Sequence, residues 1–74
     1  MSKIFNCILK NVCSGEVKEP FKVKDVIKCL GTSKSFLWKH SENNPNGKGR
    51  PYFIRIERGV FKINPIFKFC NDNV

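Results

Sequence analysis

The chain has 74 residues, 14 of them Lys or Arg and 6 Asp or Glu, for a formal charge of +8. That length allows one small domain with a single core and excludes a deep substrate cavity with the elements to support it. With 41% apolar residues and seven phenylalanines the chain is no disordered tail, and its charge asks for an anionic partner, nucleic acid before a membrane surface.

No apolar run is long enough to span a bilayer. The opening "MSKIFNCILKNV" is interrupted by Asn6 and Lys10 and makes a poor signal-peptide core, so a cytoplasmic location is expected. Cysteines stand at Cys7, Cys13, Cys29 and Cys70. An even count invites disulfides, but no secretion signal supports them. No CxxC pair occurs and His40 is the lone histidine, so a zinc site has little to build on. Buried free thiols are the expectation, because free cysteine behaves as a small core hydrophobe; disulfides and metal stay open as alternatives.

Residues 2–12 place Ile4, Phe5, Ile8, Leu9 and Val12 on one stripe at helical spacing. Ser2 can cap this first helix and Ser14-Gly15 can stop it. Pro20 pushes Glu19 toward extended backbone, and "FKV" (21–23) alternates as a short strand does. Residues 24–30 carry Val26, Ile27 and Leu30 at the same helical spacing, with Asp25 in the first turn and Gly31 as the break. Thr32 is a good N-cap for a third helix over residues 33 to about 42, with its stripe at Phe36, Leu37 and His40. "NNPNGKGRP" is a loop by composition. A β-hairpin follows, with strands at 52–57 and 60–63 and a turn at Arg58-Gly59. Alternation puts Tyr52, Ile54 and Ile56 on the core face with Phe61 and Ile63, and Phe53, Arg55 and Glu57 outside. "IFKFC" (66–70) is a fourth strand or a turn of helix, and the last four residues are expected to fray.

The order is therefore helix, strand, helix, helix, strand, strand, in one α+β domain over residues 1–74. Leu30 and Leu37 flank "GTS", placed to clamp two short helices across a tight turn. With "DVIKCLGTSKSFLWKH" as a helix–turn–helix and "YFIRIERGVFKI" as a hairpin wing, the chain resembles the winged helix–turn–helix superfamily, whose order is H1-S1-H2-H3-S2-S3. It departs from that pattern at Ile27, where such motifs keep a small residue, and at His40, where they keep an apolar one. The resemblance implies a DNA-binding fold with its third helix in the major groove and the wing on phosphates. Fold alone does not fix function, since some winged helices bind RNA or protein instead.

The candidate contacts follow from residue chemistry. Ser33, Lys34, Ser35, Lys39 and Asn43 lie off the apolar stripe of the third helix and offer hydrogen-bond donors to bases or phosphates. Lys48, Arg50, Arg55, Arg58 and Lys62 supply charge on the loop and wing. From Lys34 to Lys62, seven basic residues against Glu42 and Glu57 leave five net positive charges. The bland counterpart is a solvated helix face and a charged fringe that discourages edge aggregation. Lys3, Lys10, Lys18, Lys22, Lys24 and Lys28 spread charge over the first half, as a non-specific polyanion binder would. Trp38 is read as closing the core edge, and His40 as a core-edge or phosphate-contacting residue rather than a metal ligand.

The expectation is a small basic protein that binds double-stranded DNA, a transcriptional regulator. It is not an enzyme, and no catalytic residue, cofactor or metal is expected. A protein-interaction module using Trp38, Phe53, Phe67 and Phe69 is the alternative, as is RNA binding on the same surface. Homodimerisation through the first helix or "IFKFC" stays open.

Overall fold

The computed structural model describes residues 2–69, and within them helix α1 runs over Lys3–Cys13. The Ser2 hydroxyl accepts the Phe5 N–H at 3.3 Å, and Gly15 takes φ +87° just past the helix end. The predicted stripe is the buried one. Phe5 and Ile8 are fully enclosed, and Ile4, Leu9 and Val12 pack partly buried beside them.

The expected strand at 21–23 is a single bridge. Phe21 exchanges both backbone hydrogen bonds with Phe61 at 2.8 Å, and Val23 already opens a 3₁₀ turn, Val23–Val26. Asp25 closes that turn by accepting the Lys22 N–H at 2.9 Å. Helix α2, Ile27–Leu30, follows directly, and Gly31 ends it with φ +59°. Val26 and Leu30 are buried while Ile27 faces outward. Thr32 is not the cap of the next helix. Helix α3 is one turn, Phe36–Lys39, and starts after Ser35 without a side-chain cap. It is shorter than the predicted 33–42 because the backbone from His40 to Glu42 pairs with Phe53 instead of continuing the helix. The Ser41 hydroxyl donates to the Leu37 carbonyl at 2.6 Å, and Asn43 turns to the sheet. Leu30 and Leu37 are both buried, as the clamp across the turn requires.

Strands β1, Phe53–Glu57, and β2, Val60–Ile63, form an antiparallel hairpin with Gly59 at its tip, φ +77°. Phe53 pairs with Ile63, Ile54 with Lys62 and Arg55 with Phe61, and a bulge intervenes before Glu57 meets Val60. This inverts the predicted face of β1. Phe53 is fully buried, whereas Ile56 is 52% exposed. The alternation misled because Tyr52 is also buried but precedes the strand, so the two aromatics are adjacent rather than alternating. Residues 40–43 run parallel beside β1. Phe53 N–H donates to the His40 carbonyl at 3.0 Å and Glu42 N–H to the Phe53 carbonyl at 2.7 Å. The undecided "IFKFC" begins in a 3₁₀ turn, Pro65–Phe67. Cys70 and the expected fraying of 71–74 lie outside the described residues.

Ten apolar residues, from every element but the Pro65–Phe67 turn, make one core. Its centre is aromatic: Phe5 stacks on Tyr52 with centroids 4.2 Å apart, and Phe53 meets Phe5 and Phe21 edge-on. Each such side chain contributes roughly 2–3 kcal/mol by burial, before any gain from ring geometry.

The expectation of free thiols is overturned. Cys7 on α1 and Cys29 on α2 form a disulfide, with Cα atoms 5.6 Å apart. Cys13 is disulfide-bonded as well, and no described cysteine is a free thiol. The physical reason is where helix packing puts them. Cys7 and Cys29 are half-buried at the flank of the α1–α2 contact, facing each other rather than filling the core. Asn11, one turn beyond Cys7, donates its amide to Cys29 Sγ at 3.3 Å. Among the described residues the fold is thus α+β, three α-helices and a two-stranded antiparallel sheet, and no helix is long and apolar enough to cross a membrane.

Candidate nucleic-acid interface

The sequence-predicted residues fall on three exposed segments. Ser33, Lys34 and Ser35 form the turn between α2 and α3. Backbone bonds hold that turn: Ser33 N–H donates to the Leu30 carbonyl at 2.9 Å and Phe36 N–H to the Ser33 carbonyl at 3.0 Å. All three side chains are exposed. Lys39 ends α3 and is exposed.

The segment from Asn44 to Arg50 is not a loose loop. It folds back on the end of α3, where the last carbonyls of a helix lack partners of their own. Asn44 Nδ2 donates to the Trp38 carbonyl at 2.8 Å, and Lys48 N–H to the Lys39 carbonyl at 3.1 Å. Asn44 also organises the turn itself, its Oδ1 accepting the Asn46 N–H at 2.9 Å and its carbonyl the Gly47 N–H at 3.0 Å. Gly47 has to be glycine here, since a Cβ would stand 2.9 Å from the Lys39 carbonyl oxygen. Gly49, at φ +78°, passes so close to His40 that a Cβ would meet the ring at 2.8 Å. His40 packs against both the Phe36 and Tyr52 rings, and its Nδ1–H donates to the Arg50 carbonyl at 3.0 Å. It sits at the core edge, one of the two roles expected of it. Lys39 and Lys48 are thereby joined backbone to backbone, and Arg50 is tied to the residue after Lys39.

The hairpin supplies the third segment. Arg58 is exposed at the tip, and Lys62 is half-buried opposite Ile54. Arg55 does not point outward as β1 alternation suggested. Its guanidinium carbon lies 4.0 Å over the Trp38 ring, and Trp38 packs against the core, as expected of it. Asn43 grips the backbone of Arg55 from the edge of β1. Its Nδ2 donates to the Arg55 carbonyl at 2.7 Å and its Oδ1 accepts the Arg55 N–H at 3.1 Å. The side-chain amide of Asn43 is therefore committed to the fold, with one donor hydrogen left over.

No basic side chain from Lys34 to Lys62 has a carboxylate within ion-pair distance among the described residues; the ion pair seen there is Lys68–Glu19. Glu42 is occupied otherwise, accepting from Asn64 Nδ2 at 2.8 Å.

Sequence reasoning missed three residues that hold this face in place. Asn44 reads as part of a loop by composition, and Asn64 is given no role. Asn64 is 3% exposed and also bonds the Pro51 carbonyl at 3.0 Å and the Ile66 N–H at 3.3 Å. Glu19 reads only as extended backbone ahead of Pro20, yet its Oε2 accepts the Ile63 N–H at 2.8 Å at the edge of β2. An Asn preceding Pro, in "NP" and again in "INP", was the available signal for a side chain that bonds nearby backbone.

The aromatic docking surface weighed as an alternative is largely covered. Phe53 is fully buried, Trp38 lies under Arg55, and Phe67 packs edge-on against Phe5 and Tyr52, while Phe69 remains 60% exposed. Comparison with protein-family models, with curated proteins and with solved structures finds no match to this chain.

Proposed function

We propose that this chain is a small duplex-DNA-binding protein of winged-helix type, a transcriptional regulator rather than an enzyme. The turn at 33–35 and helix α3 approach the major groove, and the hairpin and the 44–50 segment rest on phosphates. The observation that carries this reading is the set of unpaired cations in the second half of the chain. They come from the α2–α3 turn and α3, from the 44–50 segment bonded to the end of α3, and from the hairpin, and none is neutralised by a carboxylate among the described residues. The element order of the resemblance supports the same reading. Because α3 is one turn and Asn43 is committed to β1, base contacts fall chiefly to Ser33, Lys34 and Ser35, and phosphate contact supplies most of the affinity. The covered aromatics favour this over stacking on unpaired RNA bases.

The disulfide bears on the expected location. A cytoplasm keeps such thiols reduced, so the Cys7–Cys29 bond argues for an oxidising setting of the folded chain. Thiol alkylation of protein taken directly from cells decides between the two.

The test is a titration of a mixed-sequence duplex, in competition with single-stranded RNA, at several salt concentrations. With about five phosphates neutralised, log affinity should fall with log salt at a slope of about −4 to −5. Backbone amide shifts should concentrate at residues 33–44 and 48–62. Absence of binding at low salt would sink the proposal, and shifts spread over every lysine would reduce it to unspecific charge attraction.

A further inference from the structure

The geometry points to Arg55 as a preorganised phosphate fork, held ready by Trp38 and Asn43, and the main anchor of the basic face. This rests on the reading of that face as an anion-binding surface. The other cations end in exposed side chains, apart from Lys62, which leaves the opposite side of the hairpin. Arg55 is different at three points. Its backbone N–H and carbonyl are both held by the Asn43 amide at the edge of β1. Its guanidinium lies at van der Waals distance over the Trp38 ring. And that guanidinium meets no hydrogen-bond acceptor and no carboxylate among the described residues.

The contact with Trp38 is made through the guanidinium carbon over the ring and takes up none of the N–H donors as hydrogen bonds. Arg55 is half-buried, yet none of its nitrogens is sealed from solvent without a partner. The donors are therefore available and already oriented. Two parallel N–H groups match two oxygens of a tetrahedral oxyanion, which is the bidentate geometry of arginine on phosphate. A fixed fork also loses less rotamer freedom on binding than a free lysine does. The ligand class is thus a phosphate group, a backbone diester when the partner is duplex DNA.

The chain holds one tryptophan, and it is the ring beneath the fork, so its fluorescence reports on the site directly. The experiment uses the full oxidised chain and two probes given separately, a short mixed-sequence duplex and inorganic tripolyphosphate. Trp38 emission and the Arg55 Nε–H resonance are followed, and Arg55→Lys is compared with Lys48→Ala. Both probes should move Trp38 and Arg55 Nε–H in the native chain. Arg55→Lys keeps the charge but loses the fork, and should weaken duplex binding about tenfold. Lys48→Ala should cost about threefold. If tripolyphosphate moves Arg55 and the duplex does not, the fork stands and the duplex reading falls. If neither probe moves Arg55 Nε–H, or if Arg55→Lys binds within about twofold of the native chain, the proposal is overturned.

Discussion

At the scale of single residues, three side-chain carboxamides do work that small domains usually leave to longer secondary structure. Asn43 stands in for a strand beside β1. Asn44 closes the end of α3. Asn64 is the most buried of them, and its amide joins the Glu42 carboxylate, the Pro51 carbonyl and the Ile66 N–H. Truncating it leaves the Pro51 carbonyl and the Ile66 N–H without their partner in a half-buried site, and an orphan of this kind costs about 1–3 kcal/mol when sealed from water. Asn64→Ala should therefore lower unfolding free energy by about 2–3 kcal/mol in urea, with an unchanged m-value. A loss below about 0.5 kcal/mol would mean that Asn64 is incidental, since that is the scatter of ordinary surface substitutions. Asn64→Asp should be no milder, because it removes the donor and sets a second carboxylate against Glu42. Little of this was legible in the sequence. Asn before Pro signals a turn, but it does not say that the amide will reach residues 13 and 22 positions away.

At the scale of elements, helix α1 was readable because five apolar residues share one face of three turns. The sheet and α3 were harder for a physical reason. Helix α3 spans scarcely one turn, and the strands are only five and four residues long, so a single misplaced aromatic shifts the phase. Tyr52 and Phe53 are consecutive and both buried, which no strict alternation allows, so β1 was set in the wrong phase. The charges of the candidate site were legible, whereas the Trp38–Arg55 contact and the Asn43 clamp were not, since both join residues far apart in sequence. The 44–50 segment is the clearest case. Composition named it a loop, and it is one, but its backbone is fixed on α3. Gly47→Ala tests how firmly. The added methyl would press on the Lys39 and Asn44 carbonyls at 2.9 and 3.2 Å, and backbone on both sides cannot move aside cheaply. The expected cost is about 1–3 kcal/mol. Hydrogen exchange gives the sharper reading. The Lys48 amide, bonded to the Lys39 carbonyl in the native chain, should lose its protection in the variant. Retained protection at Lys48 would show that the segment tolerates the methyl and is not held by this packing.

For the whole molecule the decisive ratio is core to surface. One cluster of ten apolar side chains has to offset the ordering of the chain and the mutual repulsion of a +8 charge. Domains of this size have only about 3–5 kcal/mol to spare from a single core, and many add a covalent link. The Cys7–Cys29 bond is such a link. It joins α1 to α2 across 22 positions, at the only described place where those two helices are tied covalently. Restricting the unfolded chain by a loop of that length is worth about 3 kcal/mol on the loop-entropy argument, comparable to the whole spare stability of the core. The Cys7→Ser, Cys29→Ser variant should therefore lose about 3 kcal/mol and melt well below the native chain, by about 4–8 °C for each kcal/mol. The double variant is preferred to reduction, because a reductant would also reach the disulfide that holds Cys13. Its effect should not be confined to α1. The α2–α3 turn that carries Lys34 hangs from the same helix pair, so amide exchange should quicken from Cys29 through Ser35 before the hairpin opens. Unchanged stability in the double variant would put the burden back on the aromatic core alone. In that case the cysteines would be neighbours by helix packing, and a reducing compartment would be no obstacle to the fold.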